Sequence, residues 1–227
     1  MQFNNTPLKM INRLTVAEQA FEILKQRIIC EQYPSGYQLR QDELAKDMGL
    51  SRIPLREALL RLQAEGFIDL VAHKGGVVRG LSFAEAIELF ELRLLLETDL
   101  LAKAIPLLSD ENLLAAEKAL NAFDQLAEDH DKLSNATELN WQFHYWLYEP
   151  AGKIETIKIL RKLHSNSERY LRKQILQENA FAVAHEQHFQ ILQHCRNRDS
   201  KAAVAELSQH ISGVFAQLKG MQADFDS

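Results

Sequence analysis

The chain has 227 residues, 46% of them hydrophobic, with only 9 Gly and 5 Pro, so two modest, mostly helical domains with real cores are expected. Cys30 and Cys195 are isolated thiols that give no disulfide framework; no apolar run reaches the roughly 18 residues of a membrane span, and no secretory h-region opens the chain, so a cytoplasmic protein is expected. The net charge of −5 excludes a uniformly basic nucleic-acid coat, but residues 1–80 carry 11 Lys and Arg against 9 Asp and Glu, and the remainder 15 against 22.

From Thr15, the residues Val16, Ala20, Ile23, Leu24 and Ile28 recur at a helical period, and the run ends at Tyr33-Pro34-Ser35-Gly36. A short helix over about 40–48 ends at Gly49, and a second over about 51–65 ends at Gly66. Helix, glycine turn, helix is the helix-turn-helix plan. Ser51 suits an N-cap, and Pro54 is tolerated so early in a helix. Leu55, Leu59 and Leu62 share a face suited to burial. Arg52, Ile53 and Arg56 then point elsewhere from the first turns, where a recognition helix enters the major groove. The β-prone runs 67–71 and 76–79 flank Ala72-His73-Lys74-Gly75 and predict a hairpin, the wing of a winged helix. Beyond Leu81 no strand signal remains. Helices are expected over 82–105, 109–129, 134–149, 152–177, 180–196 and 199–219, an antiparallel bundle. The expected division is a winged helix-turn-helix DNA-binding domain over 1–80 and an all-helical domain over 81–227.

Ser51-Arg52-Ile53-Pro54-Leu55-Arg56-Glu57-Ala58-Leu59, followed by Glu91-Leu92-Arg93 with Glu97, Phe143-His144, His188 and His210, resembles the GntR family of transcription regulators. The likeness is to its FadR subfamily, with an FCD-type C-terminal domain, and spans about 15–220. It implies that Ser51, Arg52, Ile53 and Arg56 lie at the operator groove and that the wing tip, with His73, Lys74 and Gly75, touches the minor groove. Arginine is the side chain best suited to bidentate contact with guanine. Arg40, at the entry of the first motif helix, reads as a phosphate contact. Ile53 stands where the family pattern has Thr. It exchanges a hydroxyl for apolar surface that suits a thymine methyl, so the operator is expected to differ from the family's commonest one. Two-fold operator logic and the resemblance both imply a homodimer on palindromic double-stranded DNA.

Seven of the eight histidines lie in residues 130–210. His188 and His210 each stand 11 residues from Asp199, so a helical hairpin turning there places them at one level. Asn140 and His144 are i and i+4 on a face that also carries Trp141, Leu147 and Tyr148, which marks it as inward. Three imidazoles and an amide oxygen then converge, a donor set suited to a divalent ion such as Zn²⁺ or Ni²⁺. The resemblance implies the same three histidines as ligands with an Asp as the fourth. Asn140 in that place removes a negative charge. Arg93 lies in an apolar run and needs a partner: Glu97 four residues on or, as the resemblance implies, the carboxylate of a small organic-acid effector. His185 reads as an outer contact of the site or a surface residue, and His130, His164 and His194 as surface. Two other functions compete. One is a helical metal-dependent hydrolase, against which no Glu stands beside the ligands at His-Glu-x-x-His spacing. The other is a DNA-binding protein whose bundle is only structural, which metal analysis and a pocket ligand would distinguish.

Overall fold

The structure, a computed structural model, describes residues 14–71, 75–80, 82–126, 136–175 and 180–220. Helix α1 (Val16–Ile29) starts at a capping box: Glu18 N donates to Thr15 Oγ1 at 3.1 Å, and Thr15 N donates to Glu18 Oε2 at 2.7 Å. Its buried face, Ala20, Phe21, Leu24 and Ile28, packs on Leu55, Leu59 and Leu62 of α3 (Arg52–Ala64). Each fully buried aliphatic or aromatic side chain there contributes about 1.5–3 kcal/mol. Helix α2 (Gln41–Met48) ends at Gly49, whose φ of +62° reverses the chain into α3.

A two-residue strand, β1 (Gln38–Leu39), joins the expected hairpin of β2 (Ile68–Val71) and β3 (Gly75–Val78). The three form an antiparallel sheet in the order β1-β3-β2, with Leu39 opposite Gly76 and Val71 opposite Gly75.

Six α-helices make up the remainder of the described chain: α4 (Phe83–Ala104), α5 (Asp110–Asp124), α6 (Ala136–Tyr148), α7 (Ile154–Ile175), α8 (Ala180–Arg196) and α9 (Ser200–Gly220). Helix α4 packs on α6, α7 and α9, while α5 lies against α6 and α8. A second core, including Phe90, Leu100, Phe143, Leu147, Leu160, Ile191 and Leu207, fills the bundle. Pro106 and Pro150 each sit in a 3₁₀ turn that ends the preceding helix. At the α8–α9 turn Arg198 takes a φ of +57°, and its guanidinium donates to the Ile105 and Leu108 carbonyls at 2.8 and 2.5 Å.

The two cores meet along α7. Lys25 Nζ on α1 pairs with Glu168 Oε2 at 2.9 Å, both side chains almost fully buried. Arg169 donates to the Arg79 carbonyl at 2.8 Å, and Tyr170 Oη donates to the Ser82 carbonyl at 3.0 Å. Among the described residues, no helix is long and apolar enough to cross a membrane.

Candidate DNA interface and metal centre

Leu55, Leu59 and Leu62 are buried, which turns the opposite face of α3 to solvent. Ser51, Arg52, Ile53 and Arg56 are all exposed on it, Ile53 to 73%. Ser51 takes the extended N-cap conformation but its hydroxyl makes no capping bond, so the expected side-chain cap is absent and the hydroxyl stays available. Arg52 Nε meets Asp42 Oδ1 on α2 at 2.8 Å. Arg40 is the N-cap residue of α2, and its exposed guanidinium bonds Glu43 at 3.3 Å and Gln38 at 3.4 Å. Gly75 belongs to β3. Its φ is +80°, and a Cβ there would stand 2.6 Å from the Leu39 carbonyl oxygen, so the glycine lets β1 approach. His73 and Lys74 lie outside the described residues.

Inside the bundle, His144 (α6), His188 (α8) and His210 (α9) are buried, and one ligand atom from each lies within 4.8 Å of the others. The equal arms of the α8–α9 hairpin bring the His188 and His210 rings to 4.5 Å. Burial holds His144 and His188 well below the usual imidazole pKa and lowers His210 to about 4, so all three are neutral at pH 7. Their neighbours set the tautomers. Tyr148 Oη spends its single proton on Glu97 Oε2 at 2.7 Å and therefore accepts from His144 Nδ1 at 3.2 Å. His210 Nδ1 donates to Gln187 Oε1 at 2.9 Å. In both rings Nε2 keeps its lone pair. His144 Nε2 and both nitrogens of His188 are buried with no hydrogen-bond partner among the described residues. Each such atom costs about 1–3 kcal/mol. Three neutral imidazoles with unpartnered nitrogens fit a divalent ion. Nitrogens bound tetrahedrally at about 2.0–2.1 Å lie about 3.4 Å apart, so from separations within 4.8 Å the rings need close in by no more than about 1.5 Å.

A cavity of about 50 Å³ opens beside the triad, with Arg93, Thr137, Asn140, Gln187 and His210 among its lining. Asn140 thus faces the same space as His210, one turn before His144. Of the two alternatives for Arg93, the pairing with Glu97 is the one observed. Its Nε donates to Glu97 Oε1 at 2.7 Å, while Nη1 is buried with no hydrogen-bond partner among the described residues. Glu97 is fully buried, and although burial opposes its ionisation, Arg93 and His164 hold its pKa well below the usual carboxylate value.

Residues 16–78 match the family described as bacterial regulatory proteins, gntR family, and residues 88–213 match the FCD domain. The Nta operon transcriptional regulator of Aminobacter aminovorans is 30% identical over 183 residues, 81% of this chain and 85% of the relative. The chain belongs to the GntR family. The HTH-type transcriptional repressor GlaR of Escherichia coli K12 is 27% identical over 201 residues, 83% of this chain and 89% of that one. Among solved structures, E. coli McbR/YncC superposes with a TM-score of 0.78 over 92% of this chain and 99% of that one, at 19% identity, a likeness of fold. A GntR-family regulator from Pseudomonas syringae pv. tomato DC3000 is 30% identical, with a TM-score of 0.52 over 92% of this chain and 87% of that one. This GntR chain, with its winged helix-turn-helix and FCD domain, is a DNA-binding transcription regulator.

In this GntR protein His164 is not a surface residue. It is buried, and its Nε2 donates to Glu97 Oε1 at 3.0 Å. The apolar period of α7, Leu160, Leu163 and Leu171, is the signal that places it inward. His185 is exposed and pairs with Asp124 at 2.8 Å; His194 is half-buried, and His130 lies outside the described residues. Tyr148 and Gln187, which orient the imidazoles, carry no sequence signal beyond lying one turn after His144 and one residue before His188.

Proposed function

We propose that this regulator binds a palindromic operator as a homodimer, with residues 1–80 reading DNA and residues 81–227 dimerising and holding the controlling ligand. Arg52 and Arg56 read base edges, Ile53 packs on a thymine methyl, and Ser51 and Arg40 contact phosphate. The wing, through His73, Lys74 and Gly75, borders the minor groove.

His144, His188 and His210, with Asn140 beside them, would hold a divalent ion, zinc or nickel. Bound there, the ion supplies a fixed positive charge at the cavity wall. Arg93 Nη1 supplies a second one. The observation that carries this reading is that convergence: unpartnered nitrogens of His144 and His188 beside His210, which lines one cavity together with the Arg93 guanidinium, whose Nη1 is unpartnered among the described residues. Two cationic groups at one small cavity select an anion, and the effector is a small organic acid whose carboxylate takes both.

The test is to select an operator from random duplexes with the purified protein and then measure Arg52→Ala and Arg56→Ala on it. A lost bidentate contact costs about 1–3 kcal/mol per half-site, so on a palindrome each variant loses between about 30-fold and 10⁴-fold in affinity. Circular dichroism confirms the fold. Wild-type affinity in either variant refutes the assigned groove face.

A further inference from the structure

On adjacent turns, α7 holds contacts to the pocket and to the DNA-binding module. His164 donates to the Glu97 oxygen that also accepts from Arg93, and the second Glu97 oxygen accepts from Tyr148, the partner of His144. Glu97 therefore ties an arginine at the cavity, a member of the histidine triad and α7 into one buried cluster. One turn on, Glu168 meets Lys25 of α1 at 2.9 Å, with side-chain exposures of 5% and 6%. Ser165 donates to Glu65 at the end of α3 at 3.4 Å, and Arg169 holds the Arg79 carbonyl beyond β3.

We infer that Glu97 and His164 are positioning residues that join the pocket to the DNA-binding module through α7, with the Lys25–Glu168 pair as the far contact. The inference rests on the DNA-binding and Arg93 readings above.

Glu97 is a buried charge and cannot be left short of donors. If Arg93 turns toward an incoming acid, Oε1 loses its guanidinium donor and His164 must follow the carboxylate. Helix α7 is stiff, so a displacement at His164 reaches Glu168, about 6 Å along the axis. Lys25 and Glu168 are almost fully buried and hold one another, so α1 moves with α7. Helix α1 carries the core face of α3 on its own Phe21, Leu24 and Ile28. A buried ion pair adds little net stability over apolar packing of the same shape, which leaves position as what it fixes.

The test needs neither metal nor effector. Operator affinity is measured for His164→Leu and His164→Gln in the full chain, each in the wild-type background and in Lys25→Met/Glu168→Leu, which replaces the pair by apolar side chains. Allosteric couplings commonly span about 5–150-fold. The expected result is a change of about tenfold for His164→Leu in the wild-type background, falling to within about twofold in the Lys25→Met/Glu168→Leu background. His164→Gln, which keeps an N–H for Glu97, stays near wild type. Should His164→Leu melt below the assay temperature, Glu97→Gln takes its place in the same cycle. No change of affinity in a folded variant, or the same fold-change in both backgrounds, overturns the inference. Arg52→Ala separates the two failures: if it binds the operator like wild type, the DNA reading fails; if it does not and the cycle is additive, only the coupling fails.

Discussion

Free of metal, this protein should be acid-labile, and the effect follows from four buried imidazoles. His144, His164, His188 and His210 all have pKa values lowered by burial, His210 to about 4. In the unfolded chain each protonates near 6.5. The unfolded state therefore takes up protons that the folded state refuses, and stability falls as pH drops from about 6.5 toward the folded values. Each refused proton contributes a slope of roughly 1.4 kcal/mol per pH unit. His210, at about 4, refuses almost a full proton near pH 5.5, and His144, His164 and His188 add to the slope in the same direction, against a total stability of about 5–15 kcal/mol for a domain. Urea midpoints of chelator-treated protein at pH 7.5, 6.5, 5.5 and 5.0 would show it, with a collapse below pH 6. His210→Gln should reduce the slope by about 1 kcal/mol per pH unit near pH 5.5. A divalent ion at a hundred times its Kd adds about 3 kcal/mol at neutral pH, an increment that disappears over the same pH range. A midpoint constant from pH 7 to 5 would falsify the account, because it would mean that the imidazoles titrate freely inside the fold.

Asn140→Asp should tighten zinc or nickel binding by restoring an anionic donor beside the triad, measured by competition with a chromogenic chelator; unchanged affinity would place Asn140 outside the ligand set. Asp42→Ala removes the carboxylate that holds Arg52 Nε at 2.8 Å. Binding to random DNA should strengthen while discrimination at the contacted guanine falls, and equal strengthening on all sequences would show Asp42 to be only a solvated charge. Gly75→Ala forces a β-carbon against the Leu39 carbonyl at positive φ, so the melting point should drop, by about 1–3 kcal/mol in stability, and a neutral result would remove the close approach of β1. Operator affinity should fall steeply between 50 and 200 mM salt as counterions are released; a flat response counts against phosphate contact.

The helix-turn-helix was legible because Leu55, Leu59 and Leu62 fix which side of α3 is buried, and the rest of the helix is then surface by elimination. The His188–His210 pairing was legible for a similar reason, since an antiparallel hairpin with equal arms leaves one outcome. Strand β1 was not: two residues show no period, and only pairing with β3 makes them a strand. His164 was misread because its polar neighbours Ser165 and Glu168 disguise the inward face of α7. Glu168 is buried by a lysine 143 positions away in sequence, and no local pattern displays such a partner. The lone-pair orientation of His144 and His210 depends on Tyr148 and Gln187, and therefore on side-chain geometry rather than on spacing.

The Arg198 turn has a mechanical consequence. Its guanidinium ties the α8–α9 corner to the carbonyls that follow α4, at the end of α4 remote from the wing. Helix α4 has 22 residues, a lever of about 33 Å at 1.5 Å per residue. With the far end pinned, any tilt of that helix is spent at the end where it leaves the sheet, and a rotation of about 2° at the pin becomes a displacement of about 1 Å there. Glu97 stands 14 residues from the wing end of α4 and 7 from the pinned end, so a small rearrangement around that buried carboxylate has the longer arm on the side of the DNA.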